Sequence, residues 1–166
     1  MAATDEMARI ALATGPNACC IVPERRAEVT TEGGLDAAGQ HGTLRPIVAA
    51  LSAAGIRVSL FVDPDEAQLR AALSVGADIV ELHTGAYAHG RDGELDRLAA
   101  AAALAAELGL ECHAGHGLTY DNVGPVAAIP QVVELNIGHF LIGEAILDGL
   151  PNAIRRMRQL MEEARH

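Results

Sequence analysis

The 166-residue sequence contains no lysine; all 12 of its basic residues are arginine. That absence removes a branch of covalent chemistry, because a Schiff base with a carbonyl substrate, or a lysine-bound pyridoxal phosphate, needs a primary side-chain amine. It also removes the phosphate loop that ends in Gly-Lys followed by Ser or Thr, so a bound phosphate must be held by Arg, His or backbone amides. No uninterrupted apolar run reaches the length of a membrane span; the Ala-rich stretch at 98–110 is short and carries Glu107. Positive charge is scarce too. A formal net charge of −10 disfavours nucleic acid and anionic membrane as partners, since their binding draws on clustered cations. Three cysteines do not make a disulfide framework, because the adjacent Cys19 and Cys20 lie in an apolar run and would point to opposite faces of a strand. The opening Met-Ala-Ala-Thr-Asp-Glu has no basic segment leading into an apolar one, so it does not read as an export signal. The expected location is the cytoplasm, and the expected partners are small molecules or other proteins.

What is present is half hydrophobic, enough for a single domain over 1–166 with a sizeable core. Apolar residues Met7, Ile10 and Ala11 recur at helical spacing over 4–14, stopped by Gly15-Pro16. A continuous apolar run at 18–22 predicts a strand buried on both faces. Residues 24–34 are polar and glycine-terminated and read as a loop at that strand's carboxyl end. A helix over 43–54 and a strand over 58–62 follow. Asp63-Pro64-Asp65 then opens a helix in which Leu69, Ala72 and Leu73 share a face and Gly76 forms the cap. The unit recurs: strand 78–83, helix 91–109, strand 110–114, a short helix from Asp121 or Asn122 to 129, strand 132–137, a short helical piece over 140–147 and a charged helix over 151–165. Five strands alternating with six or seven helices predict parallel β-α units, in an open doubly wound sheet or a barrel. The glycine-led short helix after the last strand is the recurrent phosphate site of α/β barrels and favours the barrel. A complete TIM (β/α)8 barrel has eight strands and ~250 residues, so the expectation is an incomplete barrel, the later part of one.

In parallel β-α folds the chemistry sits at the carboxyl ends of the strands. Those positions hold Thr30 and Thr31, Glu81 and His83, His116 with Gly117, and Gly138 with His139. Glu81 stands among apolar neighbours, where a carboxylate must find a partner or shift its pKa; it is either held by an arginine or faces a reacting group. His83 shares its strand parity and reads as a hydrogen-bonded structural histidine. Gly115 and Gly117 bracket His116, a side chain able to exchange a proton near neutral pH, where the backbone is open to a ligand. A turn histidine is the alternative, and the second glycine-histidine pair at Gly138-His139 favours function. Strict alternation back from His116 would turn His113 away. A metal site is a rival use of His83, Cys112, His113 and His116, but their spacing lacks the usual ligand pattern, so no metal is expected. Arg25 and Arg26 could close over a phosphate.

The run Cys19-Cys20-Ile21-Val22-Pro23-Glu24-Arg25-Arg26, followed by Glu28-Val29-Thr30-Thr31-Glu32-Gly33-Gly34-Leu35-Asp36, resembles the pyridoxine 5'-phosphate synthase family of vitamin B6 biosynthesis. So do Glu81-Leu82-His83-Thr84-Gly85, Ala114-Gly115-His116-Gly117-Leu118-Thr119-Tyr120 and Glu134-Leu135-Asn136-Ile137-Gly138-His139. The resemblance implies an α/β barrel that condenses 1-deoxy-D-xylulose 5-phosphate with 3-amino-2-oxopropyl phosphate to pyridoxine 5'-phosphate, phosphate and water, with no metal and no organic cofactor. It implies that His116 is a proton donor, that Glu81 stabilises a transition state, that Thr30 contacts the pentulose phosphate, and that Gly117, Gly138 and His139 hold the amino-ketone phosphate. Family members begin with further β-α units carrying two proton acceptors, which this sequence lacks; the expectation is that Met1 is an internal methionine or that the sequence is a fragment. Such a remnant should expose sheet edges and apolar faces and so be poorly soluble or associate, an intact relative being expected as a homo-oligomer. Two other readings stay open: a catalytically silent phosphate-binding or assembly module, and a metal-dependent barrel hydrolase.

Overall fold

A computed structural model describes residues 1–23 and 33–166 of the chain. Its elements run α1 (Asp5–Thr14), β1 (Ala18–Ile21), α2 (His41–Ala53), β2 (Arg57–Val62), α3 (Glu66–Val75), β3 (Ile79–His83), α4 (Gly85–Ala88), α5 (Glu94–Glu107), β4 (Glu111–Gly115), α6 (Val123–Ala127), β5 (Val132–Asn136), α7 (His139–Asp148) and α8 (Leu150–Glu163). All four strand pairings are parallel, and the strand order in space is the order in sequence, β1-β2-β3-β4-β5. A doubly wound sheet reverses its strand order at a switch point. This sheet does not, and the described strands form an arc of the α/β-barrel type.

The two faces of the arc differ in chemistry because side chains alternate along each strand. Val58, Leu60 and Val62 of β2, Val80 and Leu82 of β3, and Cys112 and Ala114 of β4 are buried in the core with Leu44 and Leu51 of α2, Leu69 of α3 and Leu98 of α5. The opposite face, which a closed barrel turns inward, carries Cys20, Phe61, Glu81, His83 and His113, in register across the strands. Met1 and Ala2 run beside the end of β1: Ala2 pairs with Val22 in parallel, and the Val22 amide donates to the Met1 carbonyl at 2.9 Å.

Several boundaries and faces differ from the sequence expectation. The helix expected from residue 91 begins at Glu94, because Gly93 adopts φ 78°, and a separate one-turn helix, α4, precedes it. In α3 the buried stripe is Leu69, Ala72 and Val75, while Leu73 is 43% exposed. In α1 the buried residues are Ala8 and Ala11, and Ile10 is exposed. In each case helical spacing admitted two adjacent stripes, and packing selected the neighbouring one. α7 buries none of its residues; Ile146 and Leu147 are 80% and 85% exposed.

The outer face should dominate stability. Leu60→Ala, at a fully buried position, is expected to cost about 2–5 kcal/mol, while Leu73→Ser should stay within about 0.5 kcal/mol, as read from urea unfolding midpoints. Equal losses at the two sites would contradict the assignment of faces.

Candidate active site

Register places the candidate side chains. Glu81 of β3 pairs with His113 of β4, His83 pairs with Gly115, and Gly115 pairs with Asn136 of β5. Paired residues on parallel strands share a face, so Glu81, His83, His113 and Asn136 all lie on the face turned away from the helices. This corrects the expectation that His113 turns away. Counting back from His116 fails because β4 ends at Gly115, and His116 is the one described non-glycine residue with positive φ, at 86°. A left-handed residue breaks the alternation, and its ring meets the same face: the His116 and His83 centroids are 5.0 Å apart, and Phe61 is 6.4 Å from His116.

Holding a non-glycine residue in that conformation costs on the order of 1–3 kcal/mol unless the surroundings impose it. Here they do. Thr84, fully buried, offers its hydroxyl to the carbonyls of Gly115 at 2.7 Å and His116 at 2.5 Å, and its amide donates to the Gly115 carbonyl. The following segment is pinned by Asn122, which accepts from the Thr119 amide at 2.7 Å and donates to the Gly117 carbonyl at 3.2 Å. Gly117 itself is at φ 76°, and a Cβ there would lie 2.7 Å from the Ala88 methyl of α4. The short helix that pattern reading missed is therefore one wall of this turn.

Among the described residues Glu81 is held by neutral donors, not by the arginine of the alternative reading. Its Oε2 accepts from the Asn136 amide at 3.0 Å and from the Cys20 thiol at 3.6 Å. Burial pushes the Glu81 carboxyl above its ordinary range, opposed by the Cys20 hydrogen bond, the charge of His113 and the Asn136 hydrogen bond. Burial, reinforced by the Glu81 charge, pushes the Cys20 thiol up to about 12, so it stays protonated and acts as a donor rather than a nucleophile. His113 is tied by Nε2 to Glu111 at 2.8 Å, with Nδ1 3.4 Å from Glu134. His83 places Nδ1 3.1 Å from Asp63, which also accepts from the Gly34 amide at 3.0 Å. The histidine expected to be structural is hydrogen-bonded, and its partner links it to the chain that resumes after residue 32.

Gly138 caps the start of α7, and among the described residues no side chain caps that helix, leaving its first amides to other acceptors. His139 is its first residue and is exposed. The Phe140 ring packs edge-on against Tyr120 at 4.7 Å, which brings the start of α7 beside the segment that follows Gly117. A Cβ on Gly138 would meet none of the described residues within 4 Å. Thr30, with Thr31, Arg25 and Arg26, lies outside the described residues. The rival metal set does not converge: Cys112 belongs to the outer core, whereas His113 lies on the opposite face. Asn136, Cys20, Thr84 and Asp63 are the contributors that sequence reading passed over. Only the register of β5 against β4 shows that Asn136 faces inward.

An arc of parallel strands with a carboxylate, histidines and an uncapped helix start at its carboxyl ends has the plan of an α/β-barrel enzyme. Solved structures agree on the fold: a 4-hydroxy-2-oxoglutarate aldolase superposes with a TM-score of 0.65 at 17% identity, over 94% of this chain and 64% of that one. An aldolase/citrate lyase family protein from Burkholderia cenocepacia gives 0.61 at 16% identity, over 98% and 73%. The chain belongs to the family described as pyridoxal phosphate biosynthesis protein PdxJ, whose family model matches residues 1–163. It is 61% identical over 161 residues to a pyridoxine 5'-phosphate synthase of Gluconobacter oxydans, covering 97% of this chain and 69% of that protein. To a pyridoxine 5'-phosphate synthase of Zymomonas mobilis it is 61% identical over 169 residues, covering 99% and 66%. The chain thus spans about two-thirds of the length of these relatives, which are named as enzymes.

The Asp63–His83 link gives a pH prediction. The hydrogen bond from His83 holds the Asp63 carboxyl below its ordinary value, against some burial and with help from the Gly34 amide. A group whose pKa is depressed on folding contributes stability above its unfolded pKa and loses it as pH falls through the folded one. Between pH 5 and pH 2, Asp63→Asn should therefore lose less stability than the parent chain, as read by urea midpoints. A parallel loss in both would show that the link contributes nothing.

Proposed function

We propose that this chain carries a share of a pyridoxine 5'-phosphate synthase site, a transferase-type enzyme that condenses 1-deoxy-D-xylulose 5-phosphate with 3-amino-2-oxopropyl phosphate to pyridoxine 5'-phosphate, phosphate and water. The observation that carries it is that Glu81 and the His116 ring, which lies 5.0 Å from His83, share one sheet face, with Phe140 of α7 packed on Tyr120 just after Gly117. In this reading His116, exposed at the strand end, donates a proton to a leaving oxygen. Glu81, bonded by neutral donors that leave its charge intact, stabilises a transition state of the condensation. Backbone amides at Gly117 and Gly138, with His139, hold the amino-ketone phosphate, and Thr30 contacts the pentulose phosphate. The amine comes from 3-amino-2-oxopropyl phosphate and both substrates carry a ketone, so in this reading the condensation proceeds with neither metal nor organic cofactor. A cytoplasmic setting and a homo-oligomer belong to the same reading, the latter supported by the exposed apolar residues of α7.

A second reading is favoured by the length comparison. A chain spanning about two-thirds of its relatives can keep a phosphate-binding or assembly role without turnover. Mixing it with both substrates, in parallel with a version extended upstream to the relatives' length, separates the two: product from the short chain excludes the silent reading. In whichever form turns over, His116→Asn is expected to lower the rate by roughly 10²-fold or more. An unchanged rate removes His116 from the reaction.

A further inference from the structure

Glu81 is gripped from two directions. It stands on β3, the middle strand, yet its Oε2 is bonded by Cys20 from β1 and by Asn136 from β5, each two strands away. Only a concave sheet brings both within reach of one oxygen. The other oxygen lies over a bare backbone: a Cβ built on Gly115 would stand 2.6 Å from Glu81 Oε1 and 2.7 Å from the Asn136 carbonyl. Any side chain at position 115 would push the carboxylate away, and position 115 adjoins His116.

We propose that Asn136 is a positioning residue for Glu81: its amide, with the Cys20 thiol opposite, fixes Oε2 and leaves Oε1 as the oxygen presented to substrate over Gly115, beside His116. The functional half of this inference rests on the synthase reading; the geometric half does not. An amide suits the task because it orients a carboxylate without neutralising it, whereas an arginine would clamp both oxygens and cancel the charge. The charged and titratable groups facing Glu81 are Cys20 from β1, His113 from β4 and Glu134 from β5. Cys20 and His113 favour the ionised carboxylate, and Glu134 and burial oppose it. Asn136 is, with the Cys20 thiol, a neutral donor to the ionised carboxylate, so its loss should move the Glu81 titration upward.

The test is the titration of the 13C-labelled Glu81 side-chain carboxyl in this chain, with circular dichroism as the check on folding. The midpoint is expected to rise in Asn136→Ala, which removes the donor, and in the isosteric Asn136→Asp, which adds a like charge. It should return toward the parent value in Asn136→Gln, which restores an amide. Midpoints equal to the parent in both Ala and Asp variants would overturn the proposal, and the near-isosteric Asp variant decides alone if the Ala variant does not fold. Where turnover is measurable, kcat should fall roughly tenfold with KM for the amino-ketone phosphate within about twofold, and the acid limb of kcat should move upward with the carboxyl midpoint. A fall in folded fraction with an unmoved acid limb would mark a merely structural role and overturn the proposal. Absence of turnover in the parent protein counts against the synthase reading alone, and the carboxyl titration then decides the positioning of Glu81.

Discussion

The pairing of β3 with β4, which sets Glu81 opposite His113 and His83 opposite Gly115, governs everything at the carboxyl end of the sheet. Side chains alternate strictly along a strand, so a slip of one residue would exchange the two faces, sending Leu82 and Ala114 inward and burying Glu81 under the helices. The apolar outer face forbids that slip. Val80, Leu82 and Ala114 are fully buried in the helix-packed core, and moving them out of it would cost far more than the polar face could return. The hydrophobic layer on one side of the sheet is what holds the polar chemistry in place on the other.

The register brings the groups near each other, and the backbone then aims them. His116 would follow Ala114 toward the outer face if the strand continued; instead the chain turns left-handed, and the imidazole meets His83 and Phe61. Thr84 imposes that turn through two carbonyls, and it is itself placed by β3, directly after His83. Gly115 leaves room for the Glu81 carboxylate at the same point. Three consecutive positions on one strand end therefore act on different neighbours: one by lacking a side chain, one by carrying the imidazole, one by tolerating positive φ.

The strand–helix alternation was legible because glycines and apolar runs punctuate it: Gly15 and Gly76 do end their helices in the left-handed conformation. The parallel barrel-type arc followed from that alternation and from the glycine-led helix after the last strand. His116, Gly117, Gly138 and His139 were visible as residues at strand ends and do lie there, while Glu81 sits mid-strand in β3 and Thr30 falls outside the described residues. What was not legible depended on geometry between segments. The facing of His113 turned on one φ angle, α4 was too short to show periodicity, and Asn136 and Cys20 acquire meaning only through a carboxylate two strands away.

Membership of the PdxJ family and 61% identity to named pyridoxine 5'-phosphate synthases agree with a carboxylate and a histidine sharing one sheet face at the carboxyl ends of parallel strands. The central claim is that Glu81 and His116 serve one reaction as one unit. A double-mutant cycle on kcat, with Glu81→Gln, His116→Asn and the double variant in protein extended to the relatives' length, tests it most directly. The account predicts that the double variant loses little more than the worse single one. Losses that multiply independently would contradict it.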